Sequence, residues 1–188
     1  MSIQIINDGE LGSSVRDKLN DSIQRGNRDV GYATFVDTQY TLNSPLVVSQ
    51  GSTVALPNNS TGDLITYLPE NSSGMYNGTR LVADNVGDEY TLRISIGAFT
   101  TSNNGGFDLS VDISALGDGS ITIARYPVRM FRGTGSANAQ VYTVNVPYFT
   151  LSTFVANGGL IRLESITGDT SVYGIQYYIR KVSAGEYS

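Results

Sequence analysis

Three aspartates, Asp108, Asp112 and Asp118, are the side chains whose types and spacing come nearest to chemistry. Asp108 and Asp112 fall on one face of a strand-like run, four residues and therefore about 13 Å apart. That separation is too long for a glycosidase carboxylate pair or for two ligands of one metal ion. Asp118, between Gly117 and Gly119, offers a turn carboxylate that neighbouring carbonyls could complete into a calcium loop. The plainer reading is a solvated strand face and a turn residue. Gly9-Glu10-Leu11-Gly12-Ser13-Ser14 opens a helix, as phosphate loops do, but it lacks the Lys-Ser/Thr ending. The chain has no histidine and no cysteine, so a serine has no imidazole to activate it, and the usual zinc ligands are missing. Lysine occurs only at Lys18 and Lys181, neither in a recognisable motif. These residues predict a protein that is not an enzyme, with no catalytic, cofactor-binding or metal-binding residue.

The elements that carry these residues belong to one class. The chain has 188 residues, 40% of them apolar and 15% charged. That suits one domain with an appendage. Its polar remainder is mostly Asn, Ser, Thr and Gly, which form turns rather than charged disordered tails. A net charge of −5 argues against a nucleic-acid partner. No stretch approaches the length of a membrane helix, and Met1–Gly9 lacks the basic and apolar regions of a secretory signal, so a soluble protein made in the cytoplasm is expected. The sequons at Asn58, Asn59, Asn71 and Asn77 are chance products of turn composition.

Ser2–Ile6 reads as a short apolar arm ending at Asn7-Asp8-Gly9. Ser14 and Asp17 form a capping box, Val15, Leu19 and Ile23 recur at helical spacing, and Gly26 follows a basic last turn. The result is one short helix over about Val15–Arg25, whose apolar stripe must dock: against its own β domain, or against copies of itself or another protein. Beyond Asn27 the period becomes two. Strands are expected at 32–36, 40–42, 46–48, 53–56, 64–68, 90–98, 107–113, 121–126, 141–146, 160–166 and 172–182, with an exposed loop over Glu70–Gly78 and a helical turn at 151–155. Asn103-Asn104-Gly105-Gly106 is a hairpin signal between the 90–98 and 107–113 runs. Many short, half-apolar strands predict an all-β, jelly-roll-like antiparallel sandwich, with an immunoglobulin-type sandwich as runner-up. The domains are 1–30, an arm and helix for attachment or oligomerisation, and 31–188, the sandwich.

Twelve tyrosines supply the candidate contacts. The run 172–179 is apolar on both faces, so it is central in a sheet or covered by another subunit; Tyr173, Tyr177 and Tyr178 are the candidate contacts there. Tyr67, Tyr76 and Tyr126 stand at expected strand ends or loops, where aromatic faces stack on sugars. The candidate attachment and oligomer residues at the N-terminus are Ile3, Ile5, Val15, Leu19 and Ile23.

Ile5-Ile6-Asn7-Asp8-Gly9-Glu10-Leu11-Gly12-Ser13-Ser14-Val15-Arg16-Asp17-Lys18-Leu19-Asn20 resembles the N-terminal module of many tailed-bacteriophage virion proteins, in which an Asn-x-Gly turn leads to Gly-x-Ser-Val-Arg-x-Lys-Ile/Leu-Asn and a short helix. The match covers about 20 residues. The strands around 90–113 and the segment Thr150–Gly159 resemble, more loosely, the β-sandwich knobs of phage structural proteins. The resemblance implies a virion structural protein, in many cases trimeric, whose partners are its own copies and a major capsid or other virion protein. No repetitive shaft separates module and knob, which favours capsid decoration or a short head fibre. The alternative is a tail fibre or receptor-binding knob that recognises a host surface glycan.

Overall fold

The structure is a computed structural model, and it describes residues 15–19, 30–60, 66–68, 72, 74–131 and 133–183. Residues 15–19 are helical and are called α1. Ten strands follow: β1 (Gly31–Val36), β2 (Leu46–Val48), β3 (Thr53–Ala55), β4 (Thr66–Tyr67), β5 (Glu89–Thr100), β6 (Gly106–Asp112), β7 (Thr122–Arg129), β8 (Gln140–Phe149), β9 (Leu160–Thr167) and β10 (Thr170–Ser183). A second helix, α2 (Ser152–Asn157), joins β8 to β9.

The strands form two antiparallel sheets. Sheet A runs β4-β1-β10-β5-β8, with β2 also paired to β10; sheet B runs β3-β9-β6-β7. Without the accessory strands β2 and β4, the interleaved orders β1-β10-β5-β8 and β3-β9-β6-β7 are those of a jelly roll made from two Greek keys. The alternation expected from the sequence builds the core directly. Tyr90, Leu92, Ile94, Ile96 and Ala98 of β5 face Phe107, Leu109 and Val111 of β6 and Ile161 and Leu163 of β9, all buried. Tyr148 of β8 is stacked between Tyr90 (5.3 Å) and Phe154 of α2 (5.1 Å), which fixes the short helix over one end of the sandwich.

Three expectations are corrected. First, β5 and β6 do not form a hairpin: β5 pairs with β10 and β8, and β6 pairs with β7 and β9. The turn chemistry reverses the chain as expected, with Asn104 left-handed at φ 58°. Its hydrogen bonds steer it between sheets, Gly105 N–H donating to Ser102 C=O and Met130 N–H to Gly105 C=O. A side chain at Gly105 would collide with Thr100. Second, Tyr40–Leu42 is no strand; only an isolated bridge joins Thr41 to Ser44. Third, the 70–78 segment is not wholly exposed, because Met75 and Tyr76 are in the core. The helical turn expected at 151–155 is present and runs on to Asn157 as α2, with Gly158 as its C-cap.

β10 explains the strand that reads as apolar on both faces. It is central, flanked by β1 and β5. A bulge between Tyr173 and Gln176, made by Gly174 at φ 57°, shifts the side-chain parity by one. Val172, Ile175, Tyr177 and Ile179 therefore point inward, and Tyr173 and Tyr178 point outward.

Candidate interaction surface

The two outer faces of the sandwich differ in chemistry. On sheet B, Arg125 of β7 reaches across the strands to Asp108 of β6 and Glu164 of β9, each at 2.6 Å. This is a charged, ion-paired face. Such exposed pairs contribute little to stability, but they make the face costly to strip of water.

Sheet A is aromatic on its outer side. The register aligns Tyr67 of β4 with Tyr32 of β1, and Thr34 of β1 with Tyr178 of β10 and then with Arg93 of β5. Tyr32 lies between Tyr67 (centroids 6.2 Å) and Tyr178 (6.1 Å), both near parallel. The Arg93 guanidinium sits 5.0 Å from the Tyr178 ring centroid, a cation–π contact that closes the row. Tyr173 covers Gly97 of β5, where a Cβ would collide with its ring. At the far edge β8 adds Val141, Thr143, Asn145, Pro147 and Phe149, all exposed. Among the described residues of these strands, the charges on this face are Glu89, Arg93 and Arg180. Aromatic side chains with an arginine are the composition of contact surfaces that become buried.

Beside β8, an apolar cleft of about 280 Å³ is lined by Ile113, Ile123, Pro147, Tyr148, Phe149, Leu151 and Phe154. A neighbouring hollow of about 420 Å³ shares Pro147, Tyr148 and Phe149 with it.

The candidate residues from the sequence distribute as follows. Tyr173 and Tyr178 are on the aromatic face. Tyr177 is not a surface contact: it is wholly buried, its hydroxyl donates to Leu56 C=O at 2.7 Å, and burial pushes its pKa well up. Tyr67 is 58% exposed. Tyr76 cannot face a glycan. It is 9% exposed, its ring meets Phe35 and Tyr177, and its hydroxyl reaches Asn58 C=O; burial pushes its pKa up to about 12. Tyr126 is in the middle of β7, half-buried against the core, rather than at a strand end. Val15 and Leu19 lie in α1, half-buried and exposed respectively; Ile3, Ile5 and Ile23 are outside the described residues.

The aspartates separate as well. Asp112 is not on a solvated face: it is fully buried. It accepts from the backbone N–H groups of Ser114 (2.9 Å) and Gly119 (2.8 Å) and from the Ser114 hydroxyl (3.0 Å), with Arg162 at 3.6 Å. Burial alone would raise its pKa, but these hydrogen bonds and the guanidinium hold it below the usual value. Its role is to fold the 113–121 loop. Exposed Asp118 accepts from Ser120 N–H and is lowered to about 2 by hydrogen bonds from Ser120. Among the described residues, no three acidic side chains cluster as a metal site would require. Asn58 is buried, its amide donating to Phe35 C=O and Ile175 C=O, so that sequon is a core residue. The sequence reading missed Lys181, which lies inside the sandwich with Nζ 2.9 Å from Asp88.

No protein-family model and no curated protein matches the chain. Among solved structures it is similar to the Eiger TNF of S. frugiperda, at TM-score 0.48 and 10% identity over 84% of this chain and 94% of that one. It is similar also to the PRD1 vertex protein P5, at TM-score 0.45 and 13% identity over 83% and 98%. Murine APRIL gives TM-score 0.43 and 11% identity over 81% and 99%. The fold assignment stands on the strand order rather than on these likenesses.

Proposed function

We propose that this chain is a structural protein of a tailed-phage virion, working by contact and not by catalysis. The N-terminal module, residues 1–30, grips a capsid or other virion protein, and the sandwich is displayed outward as capsid decoration or a short head fibre. The protein would be made in the host cytoplasm and reside in the virion. The observation that carries the reading is the contrast between the two sheets: an ion-paired face on sheet B and an aromatic face on sheet A, suited to burial between copies. A homotrimer gathered on the Tyr32, Tyr67 and Tyr178 face is the expected assembly. The phage-like segment at residues 5–20 supports the attachment role. Many copies on a symmetric shell gain by avidity and stabilise the shell they bind.

Deletion of residues 1–26 tests the attachment. The truncated protein should keep its circular dichroism spectrum and cooperative melt while losing co-sedimentation with phage particles. Undiminished binding to particles contradicts the assignment.

The exposed stack of Tyr67 on Tyr32 favours one second reading, a tail-borne knob that holds a host surface glycan on those rings. Selective binding on a glycan array, lost in Tyr67→Ala, is its signature.

A further inference from the structure

β8 closes sheet A, and among the described residues it pairs only with β5. Its ten residues, QVYTVNVPYF, include no charge, and its pairing with β5 has no bulge. Sandwiches usually guard such an edge with lysine, a bulge or a short strand. Here the one guard is Pro147.

The strand is close to a palindrome about Asn145. Val144 mirrors Val146, Tyr142 mirrors Tyr148, and Val141 mirrors Phe149; only Thr143 and Pro147 differ in kind. Such a strand offers a second copy of itself, laid antiparallel, the same alternation it presents. With Asn145 on a two-fold axis, Val141 stands opposite Phe149 of the second copy. These are the most exposed apolar side chains of β8, at 70% and 65%, and each would cover the other twice. On a chain of net charge −5, an uncharged edge is also where two copies approach with least repulsion.

We propose that two copies of this chain join edge to edge through β8, antiparallel about an axis at Asn145, making sheet A continuous across the pair. The contact rests on the reading that the protein assembles with itself, but it is distinct from the aromatic face. Used together, the two surfaces would link trimers laterally.

The absence of cysteine makes the test direct. Residues directly opposed in an antiparallel pair have Cα atoms about 4.5–5.5 Å apart, inside the span of a disulfide. Full-length Asn145→Cys, at an exposed position, should form a covalent dimer under mild oxidation at micromolar concentration. Thr143→Cys should not, since its two copies would lie about 13 Å apart; mixed with Pro147→Cys it should form the heterodimer. Asn145→Cys that links no more than Thr143→Cys overturns the contact. Sedimentation of the unmodified chain separates the two claims. An oligomer without the Asn145 link removes the edge contact and leaves self-association standing, whereas a monomer removes both.

Discussion

Lys181 and Asp88 form an ion pair inside the end of the sandwich, at 2.9 Å with side chains 4% and 0% exposed. The register places Lys181 opposite Gly31 of β1 and Tyr90 of β5, so the pair ties β10 to the segment that enters β5. Asp88 also accepts from Asn85 N–H (3.2 Å) and the Tyr90 hydroxyl (3.3 Å). Lys181→Met keeps most of the volume and removes the cation. Breaking one side of a buried pair costs about 3–5 kcal/mol. The two hydrogen bonds that stay on Asp88 place this case near the lower end, about 3 kcal/mol. For a chain of this length each kcal/mol moves the melting temperature about 2–4 °C, so a drop of roughly 6–12 °C is expected. Lys181→Met with Asp88→Asn removes both charges and keeps an acceptor for Asn85 and Tyr90; at least half of the loss should return. Thermal melts followed by circular dichroism, at one fixed protein concentration because self-association shifts the midpoint, measure both variants. A single variant melting within 2 °C of the parent, or a double variant no better than the single, refutes the reasoning.

Gly97→Val drives a side chain into the Tyr173 ring that lies over it. Overpacking of this kind costs about 1–3 kcal/mol, and Tyr173→Ala in the same chain should recover part of it in urea titrations. Asp112→Asn should cost about 2 kcal/mol at pH 7 through its charge-assisted hydrogen bonds. The pKa of Asp112 is depressed on folding from an ordinary 3.8. Its contribution is therefore complete above that value and disappears as the pH falls through the lower folded one. Melts between pH 7 and pH 2 should show a shallower acid decline for the variant; parallel curves would remove this role. Tyr178→Ala takes away one of the two stacking partners of Tyr32 and the seat of Arg93, and it should weaken self-association in sedimentation while changing the melt of a dilute sample by under about 1 kcal/mol. Equal effects on both would make the row merely structural.

The strands were legible because a half-buried antiparallel sheet writes a period of two into the sequence. β5 and β6 show it without interruption, and so does the buried face of β9. Which strand pairs with which was not legible. Asn103–Gly106 carries hairpin chemistry, yet the Greek-key path sends β5 and β6 into different sheets, a decision made by contacts far apart in sequence. The doubly apolar β10 was readable as central or covered, but not the Gly174 bulge that resolves its parity. Side-chain fate was least legible. Asp112 follows the same alternation as Asp108, which stays part-exposed beside Arg125, but the 113–121 loop folds over Asp112. Tyr76, in a polar stretch, is drawn into the core by Phe35 and Tyr177. The palindrome of β8 was present in the letters, and it acquired meaning only when the strand proved to be an edge.

Sedimentation equilibrium of the full chain, beside Tyr32→Glu and Tyr178→Glu, tests most directly whether the aromatic side of sheet A exists to be covered by another copy. The account predicts a parent species at three times the 20.2 kDa chain mass, or at a multiple of that trimer where the β8 edges also join, and dissociation in either variant with the sandwich still folded. A parent that sediments as a single chain at tens of micromolar, or variants that assemble as the parent does, would contradict it.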